Sequence, residues 1–379
     1  MRRVAETKGQ KAWWNENMVC PAGFEPATPW FEAKYSNPLS YGHICYNYLM
    51  KMRENVKIAE LTTMRLGGAA RYVIDIETLD DLRDAYAFAT ERGLATYVLG
   101  EGSNVIGRDE GFDGVILVNQ LRGIEDLGEG RFRGYGGEVF DDFVAFAVGR
   151  GYSGMEAMSG VPGTLGAAPV QNVGAYGQEM SEVLESVEAY GTHDGNVVIF
   201  TTPEMGLGYR RSIFNYGPDA GRYFIVAVTV KLRRGEMRPP FYTSLQEYVD
   251  ERGVEDFSPA AVRRMVMEIR AAKLPDPKIE ASAGSFFKNI YLSPEEAERV
   301  KTKGIPVWEG GKVPAGWLIE QAGLKGKEFY GFKVSDKAAL ILINESATSY
   351  ADLARARGAI VDAVREKFGF TLEQEPVEI

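Results

Sequence analysis

Ser285 stands between Gly284 and the pair Phe286-Phe287. The run is not Gly-x-Ser-x-Gly, so its hydroxyl, held among apolar neighbours, suits lending a proton better than attacking a carbonyl. Upstream, Tyr209-Arg210-Arg211-Ser212 gathers a phenol, a guanidinium and a hydroxyl, and Tyr209, Arg210 and Ser212 together can hold a planar anion. Its bland alternative is a polar loop. Lys273 falls in register with Val262, Val266 and Ile269 on the core face of an amphipathic pattern, at its last turn. There it faces a site or simply satisfies the helix C-terminus. Gln321 closes a shorter helical pattern, and Glu373, Glu375 and Glu378 sit in the tail, whose default reading is a solvated acidic end. The chemistry on offer is proton transfer by a hydroxyl or carboxylate and recognition of anions.

A second set reads as a nucleotide cradle. Gly160 to Gly177 contains five glycines in eighteen residues and no charged side chain. Such backbone can approach a ligand closely and aim N–H groups at phosphate oxygens. Pro162, Pro169, Gln171 and Asn172 stiffen the run or add amide groups, which a plain surface loop does not need. Gly100-Glu-Gly-Ser-Asn104 presents Ser103 and Asn104 in a comparable way. Neither stretch is a Rossmann fingerprint or a P-loop: the third glycine and a following helix are missing from the first pattern, and no Gly-x-x-x-x-Gly-Lys-Ser/Thr occurs.

Composition narrows the chemistry further. The chain has 379 residues, 45% hydrophobic and 25% charged, room for two or three domains. A net charge of −10 disfavours a nucleic-acid partner. No apolar run is long enough for a membrane span, and nothing after Arg2-Arg3 forms a signal-peptide h-region. Both cysteines, Cys20 and Cys45, and His43 lie in residues 1–52, which show no period of 2 or 3.6. That segment reads as an extension outside the fold, the product of a misplaced start with Met50 or Met52 as first residue; a regulatory extension is the alternative. The remainder has one histidine, His193, in a Gly-Thr-His-Asp-Gly hairpin turn. Disulfides, Cys/His metal sites and cysteine nucleophiles drop out, and metal chemistry is not expected.

The elements that must position these groups can be read in order. Arg71–Ile76 alternates like a strand, Thr78 caps a helix ended by Gly93, and Ala95–Leu99 is a strand feeding the first glycine loop. Further strands at 115–119 and 131–136 and a helix over 140–150 lead into the cradle. Strands over 183–190, 196–201 and 223–232 continue an antiparallel pattern, an α+β unit. The basic, proline-containing run 233–240 marks a boundary, giving domains 53–235 and 236–379. A short element at 241–245 carries Tyr242; Ser258 and Pro259 open a helix; 338–344 is a buried strand; Ser349 caps a final helix ended by Gly369.

In this order the motifs resemble the UDP-N-acetylenolpyruvoylglucosamine reductase family. The likeness runs from about Leu61 to the C-terminus and rests on Leu-Gly-Glu-Gly-Ser-Asn (99–104), Val-Pro-Gly…Gln-Asn-Val-Gly-Ala-Tyr-Gly (161–177), Tyr-Arg-x-Ser-x-Phe (209–214), Lys-Leu-Pro-Asp-Pro-Lys (273–278) and Gly-Ser-Phe-Phe-Lys-Asn (284–289). The resemblance implies an α+β fold, with an FAD-binding module of the vanillyl-alcohol-oxidase type followed by an α+β substrate-binding domain. It implies non-covalent FAD held by Gly100, Gly102, Ser103, Asn104, Pro162, Gly163, Thr164, Gly166, Ala168, Gln171, Asn172, Gly174, Ala175, Tyr176 and Arg270. NADPH would reduce the flavin, which would pass hydride from N5 to C3 of UDP-N-acetylglucosamine enolpyruvate, making UDP-N-acetylmuramate for peptidoglycan synthesis.

By the same resemblance Ser285 gives the proton to C2, Arg210 binds the substrate carboxylate and the enolate, and Glu375 assists the enol stage. Tyr209, Tyr242, Lys273, Asn289 and Gln321 would surround the substrate, Tyr242 placing the chain in the subgroup that closes a tyrosine loop. A cytoplasmic monomer is implied. Two departures stand out: Ala167 and Ala168 replace serines found in some members, and Val377 replaces an arginine that many carry two residues after the tail glutamate, leaving Glu373 as a rival to Glu375. A flavin oxidase of the same superfamily, or a nucleotide-sugar binding protein without turnover, are the alternative readings.

Overall fold

The computed structural model describes residues 50–192 and 194–379. His193 itself and the reading of residues 1–49 as an extension lie outside the described residues, while the strands on either side of His193 pair antiparallel, Tyr190 opposite Val197, as a hairpin there requires. Met50 to Met52, assigned to that extension from sequence, belong to the fold: Met50 is buried and the first strand begins at Lys51.

Strand β1 (Lys51–Lys57) pairs antiparallel with β2 (Ala69–Ile76), which leads through Thr78 into helix α1 (Leu79–Glu91). Thr78 and Asp81 form a reciprocal capping box, as their spacing predicts. Next come β3 (Ala95–Leu99), β4 (Val105–Ile106) and β5 (Phe112–Asn119). The sheet order is β1-β2-β5-β3, with β2 and β3 both parallel to β5. Central β5 is buried on both faces, which is why it reads as an unbroken apolar run. Val115 and Leu117 face α1 (Leu82, Phe88), whereas Ile116 and Val118 face Ile58 and Leu99.

The second sheet is antiparallel throughout. It contains β6 (Ile124–Gly128) and β7 (Arg131–Tyr135), then, after helix α2 (Phe140–Gly149), β8 (Leu184–Gly191), β9 (Val197–Thr201) and β10 (Tyr223–Lys231), in the order β9-β8-β10-β7-β6. Phe224 and Val226 of β10 join the α1 core, while Ile225, Val228 and Val230 pack with Phe140 and Phe143 of α2. One strand thus supports two cores, the two-residue alternation switching parity at an irregularity between Ile225 and Ala227.

Residues 241–245, expected to be a short element, open a ten-residue helix, α3 (Thr243–Arg252), ended by Gly253 in left-handed conformation. Only Leu245 and Val249 of that helix are buried, too thin a stripe for periodicity to reveal. Helix α4 (Pro259–Lys273) is capped by Ser258 and buries Val262, Met265, Val266 and Ile269 against α3. Lys273 departs from the expected core face: it is exposed and its Nζ lies 3.9 Å from Glu247 Oε2. A long ammonium chain in a last helical turn reaches water easily. The α3–α4 pair does not pack as part of the C-terminal core but through a cluster of its own, with α4 also bonded to α2.

The C-terminal core holds β11 (Ala281–Ser285), α5 (Pro294–Lys301), α6 (Ala315–Gln321), β12 (Glu328–Phe329), β13 (Phe332–Val334), β14 (Ile341–Asn344) and α7 (Tyr350–Phe368). Its sheet is ordered β11-β14-β13-β12, covered by Leu353, Ala356, Ile360 and Val364 of α7. Met64, Leu66 and Ile106 from the N-terminal half complete this core. The tail is not a solvated end: β15 (Val377–Glu378) pairs in parallel with β4.

Candidate active site

The two glycine stretches meet. Asn104 Nδ2 donates to Gln171 Oε1 at 2.8 Å, and the Gly163 amide donates to Glu101 Oε2 at 3.0 Å. A side chain at Gly100 would strike Thr164 Oγ1 at 2.6 Å, and one at Gly102 would strike the Leu61 carbonyl at 2.0 Å. These glycines are required because the loops press against each other and against 61–62. Gly166 is similarly tight on the Gly136 carbonyl. Thr164 and Ala168 are buried with them. The hairpin that follows turns at Tyr176 and Gly177, both at positive φ, and pairs Gly174–Ala175 with Gln178–Glu179. Pro162 stands exposed at the rim.

Asn172 plays a different part from the one expected. It is buried at φ 44°, its Nδ2 donates to Glu179 Oε2 and the Gly208 carbonyl, and its Oδ1 accepts from the Ser181 amide. With its amide fully engaged, it ties the cradle to the loop that carries Arg210. Ser212 is likewise engaged: buried, it donates to the Val170 carbonyl at 2.7 Å and accepts from the Phe214 amide. It anchors that loop and has no hydroxyl proton left for an anion.

Arg270 reaches the cradle from α4. Its Nε would lie 3.1 Å from a side chain placed at Gly160, and it hydrogen-bonds Tyr176. Burial pushes the Arg270 guanidinium below its ordinary value, although Tyr176 and Asp141 oppose the shift. Beneath it, Asp141 of α2 accepts from both terminal nitrogens of Arg263 and from the Gly160 amide at 2.6 Å. Burial alone would raise the Asp141 pKa, but these bonds hold it below the usual carboxylate value. A half-buried guanidinium, a phenol, a hydroxyl and two glycine loops form a donor set that fits a nucleotide cofactor with a diphosphate.

Tyr209 and Arg210 occupy the corner of a two-residue turn closed by paired main-chain bonds between Gly208 and Arg211. Arg210 is held at φ 54°, rare for a residue with a side chain and steadied by Asn215 Nδ2 on its carbonyl. Its Nε lies 2.7 Å from Glu375 Oε1, with both side chains largely buried. At that distance guanidinium and carboxylate form a close, largely buried ion pair. Burial raises the Glu375 pKa, with Arg210 pulling the other way. Glu373 differs plainly: it is exposed and paired with Lys288 Nζ at 2.5 Å.

Ser285 ends β11 beside this pair. A bulge between Ser282 and Ser285, with Gly284 at φ 67°, breaks the register before Ser285 pairs with Ile341. Such bulges re-aim the next side chain. The carbonyl of neighbouring Phe286 accepts from the Glu375 amide at 2.9 Å, so the tail segment that carries the carboxylate runs beside the end of β11 that carries the hydroxyl. The Asn289 amide and Nδ2 donate to the Tyr209 hydroxyl at 3.0 and 3.3 Å, and Asn289 Oδ1 accepts from the Ala315 amide. Tyr242 packs edge-on against Tyr176 at 6.1 Å and Trp308 at 6.0 Å. Lys312 Nζ lies 5.6 and 5.2 Å from the Tyr242 and Trp308 rings. Burial and then the Arg210 charge lower its pKa.

Lys312 and Trp308 belong to none of the sequence motifs; only the fold brings them beside Tyr242. Gln321 lies at the far end of α6, exposed, with its carbonyl accepting from Lys367 Nζ.

Residues 70–201 match the model of the FAD binding domain, and residues 276–379 that of the UDP-N-acetylenolpyruvoylglucosamine reductase C-terminal domain. A UDP-N-acetylenolpyruvoylglucosamine reductase from Pseudomonas aeruginosa is 34% identical over 338 residues, covering 86% of this chain and 98% of that protein. One from Alcanivorax borkumensis is 36% identical over 339 residues, covering 86% and 95%. The crystal structure of the reductase from Thermus caldophilus is similar with TM-score 0.59 at 25% identity, covering 87% of this chain and 99% of that one. The architecture is therefore α+β, an FAD-binding module joined to a second domain, and the chain belongs to the UDP-N-acetylenolpyruvoylglucosamine reductase family.

Proposed function

We infer that this chain reduces UDP-N-acetylglucosamine enolpyruvate to UDP-N-acetylmuramate with NADPH, through non-covalently bound FAD, as a step of peptidoglycan precursor synthesis. The observation that carries the reading is the buried Arg210–Glu375 pair, whose Glu375 amide is hydrogen-bonded to the carbonyl of Phe286, the residue after Ser285. FAD, when bound, supplies the hydride chemistry, accepting from NADPH and giving to the enolpyruvyl group. Gly100, Gly102, Ser103, Asn104, Gly163, Thr164, Gln171, Tyr176 and Arg270 are the residues that would hold it.

The chain's own groups suit the remaining work. Reduction of the enolpyruvyl double bond develops charge beside the substrate carboxylate, and Arg210 offers one fixed fork to carboxylate and enolate. Ser285 is assigned the proton for C2, and Glu375, disposed by burial to take a proton, is assigned to assist at the enol stage. Tyr209, Tyr242, Asn289, Lys273 and Gln321, joined by Lys312, are assigned to the rest of the substrate. Among the described residues no helix is long and apolar enough to cross a membrane. We place the reaction in the cytoplasm, with a monomer as the working unit.

The test is a visible spectrum taken without oxygen. The flavin band should bleach with NADPH and return when the enolpyruvyl nucleotide is added, with UDP-N-acetylmuramate formed. A protein that takes up no FAD overturns the reading. So does a reduced flavin that returns only with oxygen, releasing peroxide, which is the oxidase alternative.

A further inference from the structure

Beyond Glu375 itself, the last seven residues bind the molecule at two places. On one side the Lys288 amide donates to the Glu373 carbonyl, Phe287 bridges Gln374, and the Glu375 amide donates to the Phe286 carbonyl. These are the residues directly after Ser285. On the other side the Val377 amide donates to the Asn104 carbonyl at 3.0 Å, the Ile379 amide to the Ile106 carbonyl, and the Arg108 amide to the Ile379 carbonyl. These run on from Asn104, the last residue of the first glycine loop of the cradle. Pro376, buried, joins the two sides.

Two arginines lock this arrangement. Glu378 accepts from Arg108 Nη2 at 2.6 Å and Nε at 3.1 Å, and from Arg357 Nη1 at 2.7 Å. The same Arg357 nitrogen reaches Gln374 Oε1 at 2.7 Å. Gln374 Nε2 in turn donates to the Pro376 carbonyl and to Glu378. One guanidinium of α7 therefore fixes the residues on both sides of Glu375, whose own carboxylate has Arg210 as its ion partner. A flexible glutamate side chain is only as well placed as the backbone that carries it. Val377, between Pro376 and Glu378, is exposed and takes no part in the lock through its side chain.

We propose that Glu378, clamped by Arg357 and Arg108, is a positioning residue: it holds the tail as a strap that sets Glu375 against Arg210 and Ser285. The proposal rests on the assignment of Glu375 to the enol stage. A role in stability alone would lower the melting temperature without touching the chemistry, so the two can be separated.

The experiment is stopped-flow kinetics on the FAD-loaded full chain. Glu378→Gln and Arg357→Gln should slow reoxidation of the reduced flavin by saturating substrate about tenfold or more, with KM little changed. Flavin reduction by NADPH should stay within about twofold of the unaltered protein. The pH profile of the slowed step should shift, and Arg357→Lys should recover part of the rate. In a Glu375→Gln background, Glu378→Gln should add no further loss to that step. Losses that multiply in the double variant, equal losses in both half-reactions, or a fall in melting temperature alone would each overturn the strap. If Glu375→Gln is slow and Glu378→Gln is not, only the strap falls; if Glu375→Gln keeps full substrate reduction, the assignment of Glu375 falls and the strap with it. Should Glu378→Gln not fold, Arg108→Gln removes the half-exposed arm of the lock and must show the same non-additivity, or the proposal fails.

Discussion

Arg210 occupies left-handed backbone at φ 54°, in a turn that four hydrogen-bonding neighbours hold in place. The strain aims a guanidinium at Glu375, with Nε 2.7 Å from its carboxylate. A lysine there would keep the charge and lose the fork, so Arg210→Lys should slow substrate reduction by about 10²–10³, the scale of one oxyanion donor. Single-turnover reoxidation of the reduced flavin reads this directly; a change in KM alone would point to binding. Ser285→Ala should slow the same step by orders of magnitude and leave NADPH oxidation in the first half-reaction nearly intact. Equal losses in both would remove the proton-donor role. Ser285 could be singled out in the sequence because its neighbours form a local motif, whereas Glu375 was preferred there with Glu373 still a rival. That choice depends on which carboxylate the tail buries against Arg210 and which it leaves on Lys288, a matter of long-range strand pairing.

Among the elements, α4 deserves a mechanical reading. Its Arg263 grips Asp141 of α2 across 122 residues of sequence, and Asp141 also accepts from the Gly160 amide. The grip seats Arg270, two helical turns further along α4, over the cradle. Asp141→Asn would leave Arg263 half-buried without its anion and should cost about 1–3 kcal/mol of stability. Urea unfolding measures that loss, and a fluorescence titration should show weaker FAD binding while turnover at saturating FAD is little changed. Unchanged FAD affinity would mean that α4 is seated by its apolar stripe alone. The stripe of α4 and the caps at Thr78, Ser258 and Ser349 were readable because they are local in sequence. The α3 helix was not, having two buried residues, and the tail strand β15 was not, since two residues gain strand character only from a distant partner.

At the scale of the whole molecule, the tail joins the cradle, the C-terminal sheet and α7, and its two buried-side carboxylates respond to acid in opposite senses. Glu375 has its pKa raised by burial, so charging it opposes folding and lowering the pH relieves that opposition. Glu378 is the reverse. Burial would raise its pKa, but Tyr350, Arg108 and Arg357 together take it from the ordinary 4.5 to about 2. Its contribution is therefore complete above pH 4.5 and lost as the pH falls towards about 2. Because the site is partly open to solvent, about 1–2 kcal/mol is a reasonable scale at neutral pH. Glu378→Gln should lower stability by that amount at pH 7, and the gap from the unaltered protein should close across the window between 4.5 and 2. Urea unfolding at several pH values measures the gap. If it stayed constant down to the acid end, Glu378 would contribute through the shape of the β15–β4 pairing and not through its charge, and the same data would show whether Arg357 and Arg108 hold the tail by ion pairing.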